Sequence, residues 1–115
     1  MPLACHLLTL NPPSPADLAP GAFTTLKTYL DDSHHIQRLL QCTACGQLYF
    51  YEFREQIDWQ GGQDPQYRTY IPVLSAAEAQ RISRLPASGL ASLIPRLQVD
   101  WPSDVRQPRI QWIGM

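Results

Sequence analysis

Gln47-Leu48-Tyr49-Phe50-Tyr51-Glu52-Phe53-Arg54-Glu55-Gln56-Ile57-Asp58-Trp59 is the stretch on which the architecture turns. Tyr49, Tyr51, Phe53, Ile57 and Trp59 fall on one side of a two-residue period, and Glu52, Arg54, Gln56 and Asp58 fall on the other. That is the pattern of a strand with one face in the core and one in water, because successive side chains of an extended chain point to opposite faces. Gly61-Gly62-Gln63-Asp64-Pro65 then reads as a turn. Tyr67, Thr69, Ile71 and Val73 continue the alternation on a returning strand. Upstream, His34 to Gln41 is strand-like and runs into a bend at Cys42. The expected centre of the fold is a three-stranded antiparallel meander.

Working outward, the first ten residues read as extended, and Asn11-Pro12-Pro13-Ser14-Pro15 breaks them with a stiff loop. Phe23, Leu26 and Leu30 stand at i, i+3 and i+7, which predicts an amphipathic helix over 21–30. Asp31 and Asp32 oppose the dipole at the end of such a helix and so belong to a turn. Ser75-Ala76-Ala77-Glu78 has the form of a capping box and predicts a short helix to about Leu85, stopped by Pro86. From Ser88 a second helical spacing places Leu90, Leu93, Ile94 and Leu97 together, with Pro95 bending or ending it. Residues 109–113 can form a last strand. The fold class expected is therefore α+β, a small three-stranded meander packed by short helices. At 115 residues and 44% hydrophobic, residues 1–115 form one domain. A domain of that size buries roughly two-thirds of its unfolded surface.

The bend itself carries the chemistry. In Cys42-Thr43-Ala44-Cys45-Gly46 two intervening residues let a tight turn bring both thiolates to one metal ion, at Zn–S distances of about 2.3 Å. Glycine after the second cysteine suits a reversal that needs positive φ. Over residues 34–59 the segment resembles the knuckle of zinc ribbons and rubredoxin-like sites, a resemblance that implies a zinc ion at the first bend of the meander. A ribbon usually carries a second Cys-x-x-Cys, whereas only Cys5 remains here, so a four-cysteine site within one chain is excluded. All three cysteines and all three histidines lie within the first 45 residues. That crowding points to a Cys₃His site for Zn²⁺ made by Cys5, Cys42, Cys45 and one histidine. If His34 to Gln41 is a strand, His34 lies more than about 20 Å from Cys42, which disfavours His34 and His35. His6 is preferred, on the condition that the chain is irregular there, since adjacent strand residues face opposite ways.

Other readings are weaker on the residues. A thioredoxin-like redox pair at Cys42/Cys45 normally opens a helix, and Gln47 onward reads as strand. For Cys5 alone, burial as a small apolar residue competes with the ligand role. There is no phosphate-cradling glycine loop, nucleophile elbow or His-Glu-x-x-His helix, and three cysteines leave a zinc ion little Lewis acidity, so no enzyme is expected. Residues 1–78 hold eight acids against four bases, and residues 79–115 hold five arginines against two acids. Arg106 and Arg109 with Trp112 outline a nucleic-acid alternative, but a single lysine gives little clustered positive charge for phosphates. With no apolar run near 18 residues and no charged-then-apolar leader, the protein is expected in the cytoplasm and not in a membrane. The function expected is a small non-catalytic zinc-binding protein that contacts another protein through Glu52, Arg54, Gln56 and Asp58, with exposed aromatics such as Tyr70. Compact chains of this kind are by association often bacterial accessory or toxin-neutralising proteins.

Overall fold

A computed structural model describes residues 5–10, 12–19, 21–56, 65–101 and 106–114. It holds one antiparallel sheet of six strands: β1 (Phe23–Asp32), β2 (His35–Cys42), β3 (Leu48–Glu55), β4 (Gln66–Val73), β5 (Arg96–Trp101) and β6 (Arg109–Ile113). The strands lie in sequence order across the sheet. Two short helices, α1 (Ala76–Ser83) and α2 (Ala87–Ala91), fall between β4 and β5, and 3₁₀ turns at His6–Thr9 and Pro15–Leu18 precede β1. The predicted three-stranded meander is thus corrected: its three strands survive as β2, β3 and β4, but three more strands make the molecule mostly β.

The missing strands have physical explanations. β1 occupies the segment predicted as a helix. Two irregularities interrupt its pairing with β2, between Thr25 and Lys27 and between Thr28 and Leu30. Each inserts an unpaired residue and reverses the in-out phase, so the two-residue period that would reveal a strand is erased. Leu26 and Leu30, the supposed apolar stripe, are 49% and 37% exposed. The local composition favours extension instead, with Thr24, Thr25, Thr28 and Tyr29 in one run. β5 takes Leu97 out of the second predicted helix, which ends at Ala91, before Pro95. The first helix forms, ending at Ser83, with the serine half of the predicted capping box in place: the Ser75 hydroxyl accepts from the Glu78 amide at 3.2 Å.

Both faces of the sheet are covered, and this overturns the expectation of a wet face. On one side Leu40, Cys42, Tyr49, Tyr70, Leu97 and Val99 pack under the N-terminal segment, with Cys5 and Leu7 buried among them. On the other, Leu39, Phe50, Ile71 and Val73 pack against Ala79 and Ile82 of α1 and Leu90 of α2. Glu52 shares that second face and is only 5% exposed, while Tyr70, expected on the surface, is equally buried on the first. The carboxylate is tolerated because it is surrounded by donors. Its Oε2 meets His35 Nε2 at 2.9 Å and accepts from Gln37 Nε2 at 2.9 Å, and its Oε1 pairs with Arg54 Nε at 3.1 Å. Of that alternating polar set, Glu52 therefore belongs to a buried polar network and not to a solvated face. Arg54 and Gln56 are exposed as expected, whereas Ile57, Asp58, Trp59 and the Gly61–Asp64 turn lie outside the described residues.

Candidate metal centre

Cys42 ends β2, and the chain turns at once into β3. The Cys42 amide donates to the Gln47 carbonyl and the Gly46 amide to the Cys42 carbonyl, both at 2.9 Å, which closes the bend tightly. Gly46 has φ of +83°, the left-handed conformation that the sequence anticipated for it. Thr43 fastens the bend to the start of the neighbouring strand. Its amide donates to the Ala22 carbonyl at 3.0 Å, and its hydroxyl to the Gly21 carbonyl at 2.9 Å.

The other half of the cluster comes from the N-terminal segment. Cys5 is extended, with φ −135° and ψ 140°, and a 3₁₀ turn begins at the next residue. That break satisfies the condition set by strand geometry, since neighbouring side chains can now point to one place. The segment is held on the sheet by the Leu7 side chain, 1% exposed, and by the Trp112 indole, whose Nε1 donates to the Leu7 carbonyl at 3.0 Å.

As a result the ligand atoms of Cys5, His6, Cys42 and Cys45 all lie within 4.8 Å of one another, with Cys5 Sγ and His6 Nδ1 4.0 Å apart. Tetrahedral zinc bound to three sulfurs and a nitrogen needs ligand atoms roughly 3.3–3.8 Å apart, so a small contraction would complete the shell. Cys5 and Cys42 are buried, while His6 and Cys45 are exposed. The cluster can therefore hold a metal ion at the edge of the core. His34 and His35 do not join it. They sit at the opposite end of the β2–β3 pair, His34 Nδ1 3.0 Å from Glu55 Oε1 and His35 Nε2 2.9 Å from Glu52 Oε2.

Electrostatics divide the thiols. Burial pushes the Cys5 thiol up to about 11, against smaller opposing effects from Tyr49 and the Leu7 amide. Burial also acts upward on Cys45, but the amides of Gln47 and His6 and the neighbouring thiols outweigh it and bring it below its ordinary value. The Tyr49 hydroxyl was not anticipated as part of this site. It is buried without a hydrogen-bond partner. Burial pushes its pKa well up, and its influence and that of the Cys5 thiol are mutual, although the two do not form a hydrogen bond of ordinary geometry. A buried phenol with nothing to donate to is costly, and a thiolate on Cys5 would give it an acceptor. That orphaned donor fits the cluster to a cation that deprotonates its cysteines. The sheet register brings them together: Tyr49 and Cys42 share a face, because Tyr49 pairs with Leu40, two residues before Cys42.

Elsewhere, Arg106 and Arg109 are exposed, and Trp112 is half-buried, its Nε1 bound to the N-terminal segment. No helix among the described residues is long and apolar enough to cross a membrane. No known family, curated protein or solved structure matches the chain.

Proposed function

We propose that the chain is a small, non-catalytic zinc-binding protein in which Cys5, His6, Cys42 and Cys45 hold one structural Zn²⁺ ion, and that it works by contact with another protein. The gathering of those four ligand atoms within 4.8 Å, from segments more than 30 residues apart, carries the reading. Zinc is favoured over other divalent ions by the three soft thiolates with one imidazole. When bound, the ion supplies cross-linking and charge. The residues do the rest: Gly46 shapes the bend, the Gln47 and His6 amides face the Cys45 sulfur, and the Tyr49 hydroxyl faces that of Cys5. Four protein ligands complete a tetrahedral shell, which supports a structural role over a catalytic one.

The surface offered to a partner is smaller than the sequence suggested, because Glu52 is enclosed; Arg54 and Gln56 remain on the exposed edge of that region. A thiol redox role is the second reading, and the exposure of Cys45 with its lowered pKa favours it. Thiol counting separates the two: zinc-bound cysteines react slowly until a chelator is added, and they do so without reductant. A disulfide between Cys42 and Cys45 releases thiols only on reduction. Retrieval of a protein partner by affinity capture, abolished in Cys42→Ser and weakened in Arg54→Glu, tests the contact role; a captured nucleic acid that high salt removes would contradict it.

A further inference from the structure

The sheet face that carries the metal cluster also holds, beyond the second 3₁₀ turn, a cavity of about 560 Å³. Its floor is aromatic. Tyr51 and Tyr70 are paired with ring centroids 5.0 Å apart, Phe23 stacks on Tyr70 at 5.3 Å, and Trp101 lines the rim. Two guanidinium groups, Arg38 and Arg68, line it as well, and no carboxylate does so among the described residues. Among the described residues neither arginine forms an ion pair. Arg68 lies over the Phe53 ring, 5.2 Å from its centroid, which holds the guanidinium across the face of β3.

The sheet register explains the arrangement. Arg38 pairs with Tyr51, and Phe53, two residues on, pairs with Arg68. The two cations therefore flank β3 diagonally, with Tyr51 between them. Their Cα atoms are about 12 Å apart, from strand spacings of about 4.8 Å and a rise of about 3.4 Å per residue. Both side chains share the face of Leu40, Tyr49 and Tyr70, and none of the cavity residues is a candidate metal ligand. Two half-buried arginines without a carboxylate partner among the described residues, set on an otherwise apolar face, offer guanidinium donors to an anion, and an apolar wall alone would not call for them.

We propose that this cavity binds a small organic anion with a planar aromatic body and a carboxylate or sulfonate group. The body packs against Tyr51 and the Trp101 side of the cavity, and the anionic group meets Arg38 or Arg68. The volume suits such a molecule, since small-molecule sites commonly enclose about 300–1,000 Å³.

The probe is 8-anilinonaphthalene-1-sulfonate, titrated by fluorescence against the zinc-replete protein at pH 7. N-phenyl-1-naphthylamine, the same aromatic body without the sulfonate, serves as the neutral control. Saturable binding of one sulfonate per chain is expected, weakened about tenfold or more by Arg38→Gln with Arg68→Gln, while the neutral probe is little changed. On the wild-type protein, 2-naphthoate should displace the sulfonate at about one-tenth the concentration that 2-naphthamide requires. That comparison stands even if the double variant folds poorly. Equal displacement by acid and amide, equal losses for both probes in the variant, or no saturable binding would each overturn the proposal.

Discussion

At single residues, the informative cases are those whose surroundings differ from what their chemistry alone suggests. Gly46 is the simplest: a Cβ there would meet only Gln41 Nε2 at 3.7 Å, an ordinary contact, so its requirement is backbone conformation and not space. Gly46→Ala is expected to cost about 1–2 kcal/mol, read as a lower denaturant midpoint. Glu52 is the reverse, a residue whose sequence context points outward and whose position is inward. Burial raises its carboxyl, but hydrogen bonds from His35, Gln37 and Arg54 outweigh that and hold it below its ordinary value. A carboxyl with a lowered folded-state pKa stabilises fully above the unfolded value, here 4.5, and loses that contribution as pH falls through the lower folded one. Glu52→Gln should therefore destabilise by about 2 kcal/mol at pH 7 and by much less at pH 3, in parallel urea melts. An equal difference at both pH values would show that the charge of Glu52 is not what stabilises the network. The cysteines and His6 were legible because metal chemistry restricts residue type and spacing. Tyr49 was not, since nothing in an aromatic on a core face marks it as a neighbour of a thiol.

Among the elements, β2, β3, β4, β6 and α1 could be read directly, because alternation, a cap and prolines state them locally. β1 could not. Its two bulges shift the phase, and as an edge strand it has a single pairing partner and mostly exposed side chains. The burial of the polar side of β3 was also hidden, since what covers it comes from α1 and α2, far along the chain. Two core substitutions test the corrected assignment. Phe50, fully buried under α1, should cost about 3–5 kcal/mol on replacement by alanine. Phe53, only half-buried beneath Arg68, should cost under about 2 kcal/mol. If Phe53→Ala proved the more damaging, the two-sided core would be wrong. The start of the described N-terminal segment is tied down by Leu7, Trp112 and the candidate ligands, with Leu8 and Leu10 packed less deeply. Chelation should therefore speed amide exchange at Leu8 and Leu10, the donors of the first 3₁₀ turn, before it affects β3.

For the whole molecule, the N-terminal segment ties the candidate metal cluster at the β2–β3 bend to the last strand of the sheet. The N-terminal segment is bound to the β2–β3 bend by candidate ligands and to β6 through the Leu7 carbonyl and Trp112, so it closes one face of a sheet whose strands otherwise pair only with their sequence neighbours. A metal ion there would contribute directly to folding. The sequence pointed to the four side chains that gather and to the strands beside them, but not to six strands sharing one sheet with both faces covered, because that depends on contacts between distant segments. The most direct measurement is native mass spectrometry with elemental analysis of the protein purified without added metal. One zinc ion per chain in the wild type, absent from Cys42→Ser and from Cys5→Ser, is the predicted result. A folded wild-type protein that carries no metal, or that retains it when Cys5 is replaced, would contradict the assignment.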